Sequence, residues 1–401
     1  MTPPTPHDKL NPDVIRLGWV SLLTDVSSEM IFAVFAVVFT TVAGASTLVL
    51  GLVEGLADLS ASLLTAMAGW LSDRRGQRKP LTLAGYALST MAKSLLWVST
   101  SAGLLGCFRV LERLGKGLRG PPRDAWLTDL STASNRGWSF GVHKALDKSG
   151  AIIGPLLAYA WLSWQGESAQ SYQTLFMLAL LPAVLSIWLL TRTQAATGMP
   201  HARERWRESW AALNPNFKRF LWPAGVFALS YFSLGFFLLQ AHTLGWRTSG
   251  LVLLYALFNV VCVVSAPMVG WLGDRLSRHC SRRCVVMMGY AIYAALNAWM
   301  VVAQQPLHIV GVFMLYGLFY AVDESQTKAY MAELETQRYA SAVGVYQLVT
   351  GSLYLLASLF AGLLWRSSPA WAFAAALGLA LLAMLVFRLS SWPKYPAIQP
   401  P

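Results

Sequence analysis

Charged residues are scarce in this sequence: Asp, Glu, Lys and Arg together supply 12% of it, whereas hydrophobic residues supply 55%. A typical soluble domain carries about 25% charged residues. Mean hydropathy is +0.48, and apolar runs near the roughly 20 residues that a membrane-spanning helix needs recur along the whole chain. The composition excludes an ordinary soluble protein and predicts an all-α membrane protein with about twelve transmembrane helices.

Cysteine is also rare, with four in 401 residues. They lie in apparent spans or at a helix edge, so we expect reduced thiols. His279 stands beside Cys280 and Cys284, but no second ligand pair accompanies them, and GKG at Gly115–Gly117 lacks the spacing of a phosphate-binding loop. We therefore expect no metal and no cofactor.

Acidic residues are outnumbered, 19 against 31 basic ones, which gives a formal net charge of +12. In a soluble protein this excess would suggest nucleic acid, so the positions of the charges decide. The basic residues gather in alternate connections: Arg74, Arg75, Arg78 and Lys79; Arg203, Arg205, Arg207, Lys218 and Arg219; Arg275, Arg278, Arg282 and Arg283. This is the positive-inside pattern. It predicts a multi-pass protein of the cytoplasmic (inner) membrane with both termini cytoplasmic, and it excludes a nucleic-acid partner.

The chain contains an internal repeat. MAGWLSDR from Met67 returns as MVGWLGDR from Met268, and RDAWLTDL from Arg123 is echoed by TKAYMAEL from Thr327, with Asp129 matching Glu333. A fainter third echo links Arg136 to Arg338. Ordered echoes at one spacing predict a duplicated bundle of about six helices. The predicted organisation is a disordered cytoplasmic N-terminus at 1–13, bundles at 14–193 and 220–390, a cytoplasmic linker at 194–219 and a tail at 391–401.

Three motifs resemble the major facilitator superfamily of secondary transporters. GWLSDRRGQRK is similar to that family's loop signature between helices two and three, and its second copy keeps part of it. Arg109, Gly115 and Gly117 resemble the helix-four signature, and Gly150, Gly154 and Pro155 the helix-five signature of antiporters. The loop residues are Gly69, Asp73, Arg74, Gly76, Arg78 and Lys79, then Gly270, Asp274 and Arg275. The resemblance implies the major facilitator fold and a transport function.

The loop carboxylates Asp73 and Asp274 follow apolar runs, where each can pair with loop arginines or meet the dipole of the next helix. Contacts of this kind can be made in one conformation and broken in another, so we expect the two loops, with Asp129 and Arg136, to gate the cytoplasmic side. The alternative is that the arginines only set topology.

The helix-five motif is predicted to let that helix approach a neighbour closely and to act as a hinge at Gly150, Gly154 and Pro155. Ordinary packing of small residues is the alternative explanation.

Ionisable groups at membrane depth are functional candidates because each costs about 3 kcal/mol to insert. Asp25 and Glu29 lie four apart on helix one, and Glu54 and Asp58 have the same spacing on helix two. We expect Asp25 and Glu29 to titrate and to couple protons to transport, the alternative being a structural role in neutralising a buried arginine. A structural role is the favoured interpretation for Glu54 and Asp58.

Helix four places its charges on one face, where we expect them to line the central cavity or to pair with the helix-one carboxylates. Its candidates are Arg109, Glu112, Arg113 and Lys116. Asp147 on helix five and Asp323 on helix ten complete the predicted cavity set. Asn259, Tyr320 and Gln347 are weaker candidates for substrate contacts in the aromatic second half.

The leading hypothesis is a monomeric proton-coupled exporter of small organic compounds, working in the lipid bilayer by alternating access. A second hypothesis takes the helix-four cations as the site of an anionic substrate such as a siderophore or organic acid. A distant third is a membrane enzyme using His143 and Asp147 as acid and base, or a sensor without flux. No nucleophile constellation accompanies that pair, so we expect no catalytic residues.

Overall fold

The computed structural model describes residues 10–132, 135–194, 210, 212–335 and 338–390. Over these residues the chain is all helical, with twelve long helices and no strand. This confirms the predicted fold class. Most of the predicted linker and both predicted tails lie outside the described residues.

Six helices form the first half. They are α1 (Pro12–Val37, continued by a π-helical turn, Val38–Val42), α2 (Thr47–Arg75), α3 (Arg78–Val98), α4 (Ala102–Asp129), α5 (Arg136–Gln165) and α6 (Ala169–Leu178 and Leu180–Thr191).

Six more form the second half. They are α7 (Pro215–Ser230 and Leu234–Thr243), α8 (Thr248–Leu276), α9 (Ser281–Val302), α10 (Pro306–Val322, a π-helical turn Asp323–Thr327, and Lys328–Leu334), α11 (Tyr339–Trp365) and α12 (Pro369–Leu389).

Local sequence explains where several helices begin and end. The Ser46 hydroxyl accepts a hydrogen bond from the Val49 N–H and caps α2, which ends at Gly76 with φ of +63°. A left-handed residue at this position favours glycine. Asn214 caps α7, and Pro215 occupies its first turn.

The tight connections within each half make successive helices antiparallel. We call the end with the α2–α3 and α8–α9 connections the basic end, and the other the opposite end.

Nine of the described helices are long and apolar enough to cross a membrane. The other three, α3, α4 and α5, have 21, 28 and 30 residues and are long enough but more polar. They carry many of the buried charges considered below.

The two halves pack through α2 against α11 and α5 against α8. Glycines bring the first pair close: a Cβ at Gly51 would collide with the Ser358 carbonyl, and one at Gly351 with the Ser62 side chain. Small residues allow such close approach in membrane proteins, where apolar burial alone drives helix association poorly.

Candidate functional site

Two ion pairs link α2 to α4 inside the first half. Arg109 donates to both carboxylate oxygens of Glu54, at 2.7 and 2.9 Å, and Arg113 donates to Asp58 at 2.7 Å. Because α2 and α4 run in the same direction, residues four apart on one helix meet residues four apart on the other. The result is a ladder of two parallel rungs, of which the Arg109–Glu54 rung is almost fully buried.

The expectation that the helix-four arginines pair with helix-one carboxylates is therefore wrong, since their partners lie on α2. The signal was present in the matched spacing of Glu54 with Asp58 and of Arg109 with Arg113. The sequence alone did not show which two helices are adjacent, and this adjacency determines which carboxylates pair with the helix-four arginines.

A buried polar chain continues from this ladder. Glu112 lies 3.8 Å from Arg109 and accepts a hydrogen bond from Ser28 at 3.2 Å. Ser28 in turn accepts one from Lys93 on α3 at 3.0 Å, and Lys93 has no exposed surface. A charge buried this deeply requires partners. Lys93 is a site residue that the sequence analysis missed.

The two carboxylates of α1 have a different environment. Within the described residues neither Asp25 nor Glu29 has a Lys, Arg or His within 4.0 Å. Glu29 accepts a hydrogen bond of 2.5 Å from the Tyr255 hydroxyl of α8, which belongs to the other half. These are the membrane-depth groups that the sequence assigned to proton coupling. Lys116 is exposed and, among the described residues, has no ion-pair partner.

The ladder also reaches the second half. The Ser233 hydroxyl, in the break between the two segments of α7, donates to Glu54 at 2.9 Å and also accepts the Gly235 N–H. A broken membrane helix needs substitute partners at the break. Glu54 therefore belongs to both the first-half ladder and the contact between halves.

Charges of α5 and α10 meet nearer the basic end. Glu324 accepts a hydrogen bond from Lys144 at 3.3 Å and lies 3.9 Å from Lys148, so these ion pairs join the halves. Asp147 lies 3.6 Å from Arg123 and 3.7 Å from Lys144. Asp323 precedes Glu324 in α10, and its only described hydrogen bond comes from Thr327 in the same turn.

The basic end shows the internal repeat in three dimensions. In the first half Arg78 contacts Asp129 at 3.2 Å; in the second Arg282 contacts Glu333 at 2.6 Å, with both pairs 51 residues apart in sequence. Arg282 also contacts Asp274 at 2.8 Å.

The GWL-x-D-R block repeats a second contact. Arg74 lies 5.2 Å from the Trp70 ring centroid, and Arg275 lies 5.4 Å from that of Trp271. The side chains of Asp73 and Arg136 lie outside what the structure describes. Among the described residues, a Cβ at Gly69 would touch only Pro121, and one at Gly270 would meet no atom within 4 Å.

Contacts between halves recur at the opposite end. The Glu167 carboxylate, in the α5–α6 connection, accepts the N–H groups of Thr248 and Ser249 at 3.0 and 2.8 Å and so caps α8. Tyr172 donates to the Thr248 hydroxyl at 3.0 Å. Partial burial alone would raise the pKa of Glu167, but the two N–H donors outweigh it and hold the pKa below its usual value. The sequence analysis did not identify this contact.

The predicted helix-five motif lies against α1. A Cβ at Gly150 would collide with the Leu22 carbonyl, and one at Gly154 would lie 2.6 Å from the Val26 carbonyl oxygen. Pro155 lies inside the continuous α5. In α4, Gly115 and Gly117 are close-packing positions against α3 and α2, whereas no described atom lies within 4 Å of a Cβ built at Gly120.

Two six-helix halves, buried ion pairs at membrane depth and contacts that bridge the halves at three levels define a multi-pass membrane transporter. The sequence profile of the Major Facilitator Superfamily matches residues 17–281 and 224–401. The chain belongs to this family, and its members are transporters rather than enzymes.

Individual relatives agree with this assignment. An uncharacterized MFS-type transporter of Methanocaldococcus jannaschii is 30% identical over 385 residues, covering 94% of each chain. Multidrug resistance protein MdtH of Edwardsiella ictaluri is 27% identical over 191 residues, 46% of this chain and 45% of that protein. The crystal structure of the nucleoside transporter NupG, at 11% identity, superposes with a TM-score of 0.77 over 94% of this chain and 99% of its own, which shows a shared fold.

Proposed function

We propose that this transporter exports small organic compounds in exchange for protons, by alternating access of the first half, 14–193, and the second half, 220–390. The protein lies in the inner membrane. Its basic end faces the cytoplasm, because basic loops are retained on that side. The linker 194–219 connects the halves there, and the protein acts as a monomer.

The observation that carries the proposal is the hydrogen bond between Glu29 and Tyr255. Glu29 has no basic partner among the described residues, and the bond joins α1 of the first half to α8 of the second. Hydrogen bonds to an ionised carboxylate are roughly twice as strong as neutral ones. Protonating Glu29 therefore weakens a contact that holds the halves together at this level.

Asp25 supplies a second titratable group, one helical turn nearer the basic end. It is partly exposed and lacks a described ion-pair or hydrogen-bond partner, unlike the paired Glu54, Asp58 and Glu112. An unpaired carboxylate in a low-dielectric site is disfavoured in its charged form. Asp25 and Glu29 are thus the proposed proton carriers, and proton release on one side resets the contact between halves.

The alternative of an anionic substrate at the helix-four cations receives less support from the geometry. Arg109 and Arg113 are already neutralised by α2 carboxylates. Lys116 is the cation of that cluster that remains open to a substrate, and one lysine is a weak basis for an anion site. The relationship to MdtH favours small-molecule export over anion uptake.

Flux measurements in proteoliposomes test the proposal. With an imposed pH gradient, we expect the wild-type protein to move compounds from a panel of cationic, neutral and anionic molecules. Asp25→Asn and Glu29→Gln should lose gradient-driven accumulation while keeping exchange of the same compound across the membrane, because exchange requires no net proton transfer. Arg16→Gln, which alters an ion pair near the start of the same helix through an exposed side chain, is the control and should retain both activities.

Gradient-driven accumulation that persists in both α1 variants would overturn the coupling role. Failure of every compound to move in folded, correctly inserted wild-type protein would overturn the exporter proposal itself.

A further inference from the structure

Phe32 of α1 contacts both the Arg109–Glu54 ion pair and the tyrosine that binds Glu29. The Arg109 guanidinium carbon lies 4.3 Å from the centroid of the Phe32 ring, a distance typical of a cation–π contact. The Tyr255 ring centroid lies 5.4 Å from that of Phe32, with the two ring planes at 64°, which is an edge-to-face arrangement. One aromatic side chain therefore joins the ladder of the first half to α8 of the second.

Glu29 and Phe32 are three residues apart on α1, so they project from neighbouring positions on the same side of that helix. Both reach Tyr255: Phe32 meets its ring, and the Glu29 carboxylate accepts its hydroxyl at 2.5 Å. A hydrogen bond weakens steeply as its angle becomes less linear. The orientation of the Tyr255 ring therefore determines how strongly its hydroxyl holds Glu29.

Few aromatic side chains can fix that orientation. Tyr255 is 5% exposed, and its ring neighbours among the described residues are Phe32 and Phe258. Phe258 is on α8 itself, three residues along, so it moves with Tyr255 and cannot place it relative to α1. Phe32 is the ring neighbour that belongs to the other half.

Phe32 is in turn restrained by Arg109. That arginine is 4% exposed and is held by two hydrogen bonds to Glu54, so its guanidinium presents a fixed face to the ring. Cation–π attraction is stronger where the cation is removed from water. The buried ion pair thus restrains the ring that meets the second half.

We propose that Phe32 is a positioning residue, which keeps the Tyr255 hydroxyl on Glu29 and is supported by the Arg109–Glu54 ion pair. This inference rests on the proposed function, in which the Glu29–Tyr255 bond responds to protons, and it names the residue through which that bond depends on the ladder. Loss of the Phe32 ring should weaken the bond although every group that forms it remains.

Phe35 provides a matched control on the same helix. Its ring also lies near the Arg109 guanidinium, at 5.5 Å, but its described ring neighbours belong to the first half and do not include Tyr255. Leucine at either position removes a ring from α1 and from the same cation. Only the Phe32 variant should alter the contribution of the Tyr255 hydroxyl.

A double-mutant cycle tests the proposal. The measured quantity is the ratio of molecules open at the opposite end to molecules closed there, obtained from distances between nitroxide labels on protein in lipid nanodiscs. The labels are attached to Ser101→Cys and Gln305→Cys, which are exposed positions on opposite-end loops of the two halves, after replacement of the four native cysteines by alanine.

We expect Phe32→Leu to raise the open-to-closed ratio about two- to ten-fold, from the loss of an aromatic contact, and Tyr255→Phe to change it in the same direction. Together they should change it by less than the product of the two single effects, because without Phe32 the hydroxyl is no longer held on Glu29. Phe35→Leu combined with Tyr255→Phe should give the simple product. Phe32→Tyr keeps a ring and should retain the wild-type ratio.

Thermal unfolding and gel filtration identify any misfolded variant. Phe32→Met, whose flexible side chain fills irregular space, replaces Phe32→Leu if the latter does not fold. A Phe32–Tyr255 double variant that gives the simple product would show that the ring only packs between the helices, and would overturn the positioning role. An equal departure from the product in the Phe35 cycle would overturn it as well.

The outcome is separable from that of the export proposal, because the cycle needs neither a substrate nor a pH gradient. Dependence of the Tyr255 hydroxyl on Phe32 in a protein that moves no compound would support the positioning role and end the export proposal. Proton-driven accumulation together with a cycle that gives the simple product would do the reverse.

Discussion

Arg109 holds the Glu54 carboxylate with two hydrogen bonds of 2.7 and 2.9 Å, and both side chains are almost entirely buried. The same carboxylate also accepts the Ser233 hydroxyl from the break in α7. One buried ion pair therefore both fastens α2 to α4 and positions the first half against a bent helix of the second.

Removing one member of this pair leaves the other charge buried and uncompensated. We expect Glu54→Gln to lower the free energy of unfolding by about 3–5 kcal/mol, measured by thermal unfolding of the purified protein. Glu333→Gln breaks an exposed ion pair and should change it by about 1 kcal/mol or less. Equal melting temperatures of the Glu54→Gln and Glu333→Gln variants would show that the Arg109–Glu54 ion pair does not stabilise the fold as we expect.

Tyr255→Phe deletes the hydroxyl that donates to Glu29 while keeping the ring. Loss of this contact between halves should shift the conformational equilibrium toward states in which α1 and α8 separate at the opposite end. Distances between spin labels placed on the opposite-end loops of the two halves would report the shift. Tyr159→Phe, on the outer part of α5, serves as a matched control for loss of a hydroxyl, and an identical distance distribution in the two variants would count against the proposed contact.

Glu167 should make the closure of the opposite end depend on pH. Its pKa is lowered in the folded protein by the Ser249 and Thr248 N–H donors acting against partial burial. The contact is therefore fully present above the ordinary pKa of a glutamate and is lost as pH falls through the lowered value. Spin-label distances at the opposite end should lengthen in that acidic range, and Glu167→Gln should remove this dependence. Distances that respond to acid equally in the wild type and the variant would show that another group is responsible.

Two glycines of α5 offer a matched pair for the packing against α1. Gly150→Ala places a methyl group against the Leu22 carbonyl and should cost about 1–3 kcal/mol of unfolding free energy. Gly141→Ala meets no described atom within 4 Å and should be neutral or slightly stabilising, because alanine is the better helix former. Thermal unfolding compares the two, and equal melting temperatures would show that α5 can move away from α1 at little cost.

Much of the architecture was predictable from local patterns. The apolar runs predicted the number of helices, because each spanning segment must form its own backbone hydrogen bonds in lipid. The repeated GWL-x-D-R block predicted the duplication. The repeat proved informative in detail: Trp70 with Arg74 and Trp271 with Arg275 form the same contact in both halves. The direction of each helix followed from the short connections.

The partners of the charged side chains were not predictable in the same way. Spacing along a helix tells which residues share a face, but not which helix that face meets. Arg109 was expected to line the central cavity or to pair with the α1 carboxylates, and it is found on Glu54 of α2. Lys93 was not noticed because a lone lysine in an apolar helix carries no periodic signal.

The sequence by itself determined that this chain is a duplicated membrane protein of the major facilitator type and which ionisable residues lie at membrane depth, because hydropathy and helical spacing are local properties. Only the tertiary structure decided which charges are neutralised. Glu54 and Asp58 have arginine partners, whereas Asp25, Glu29 and Asp323 have no basic partner among the described residues. That division depends on which helices are adjacent, and it directs the proposal for proton coupling toward α1.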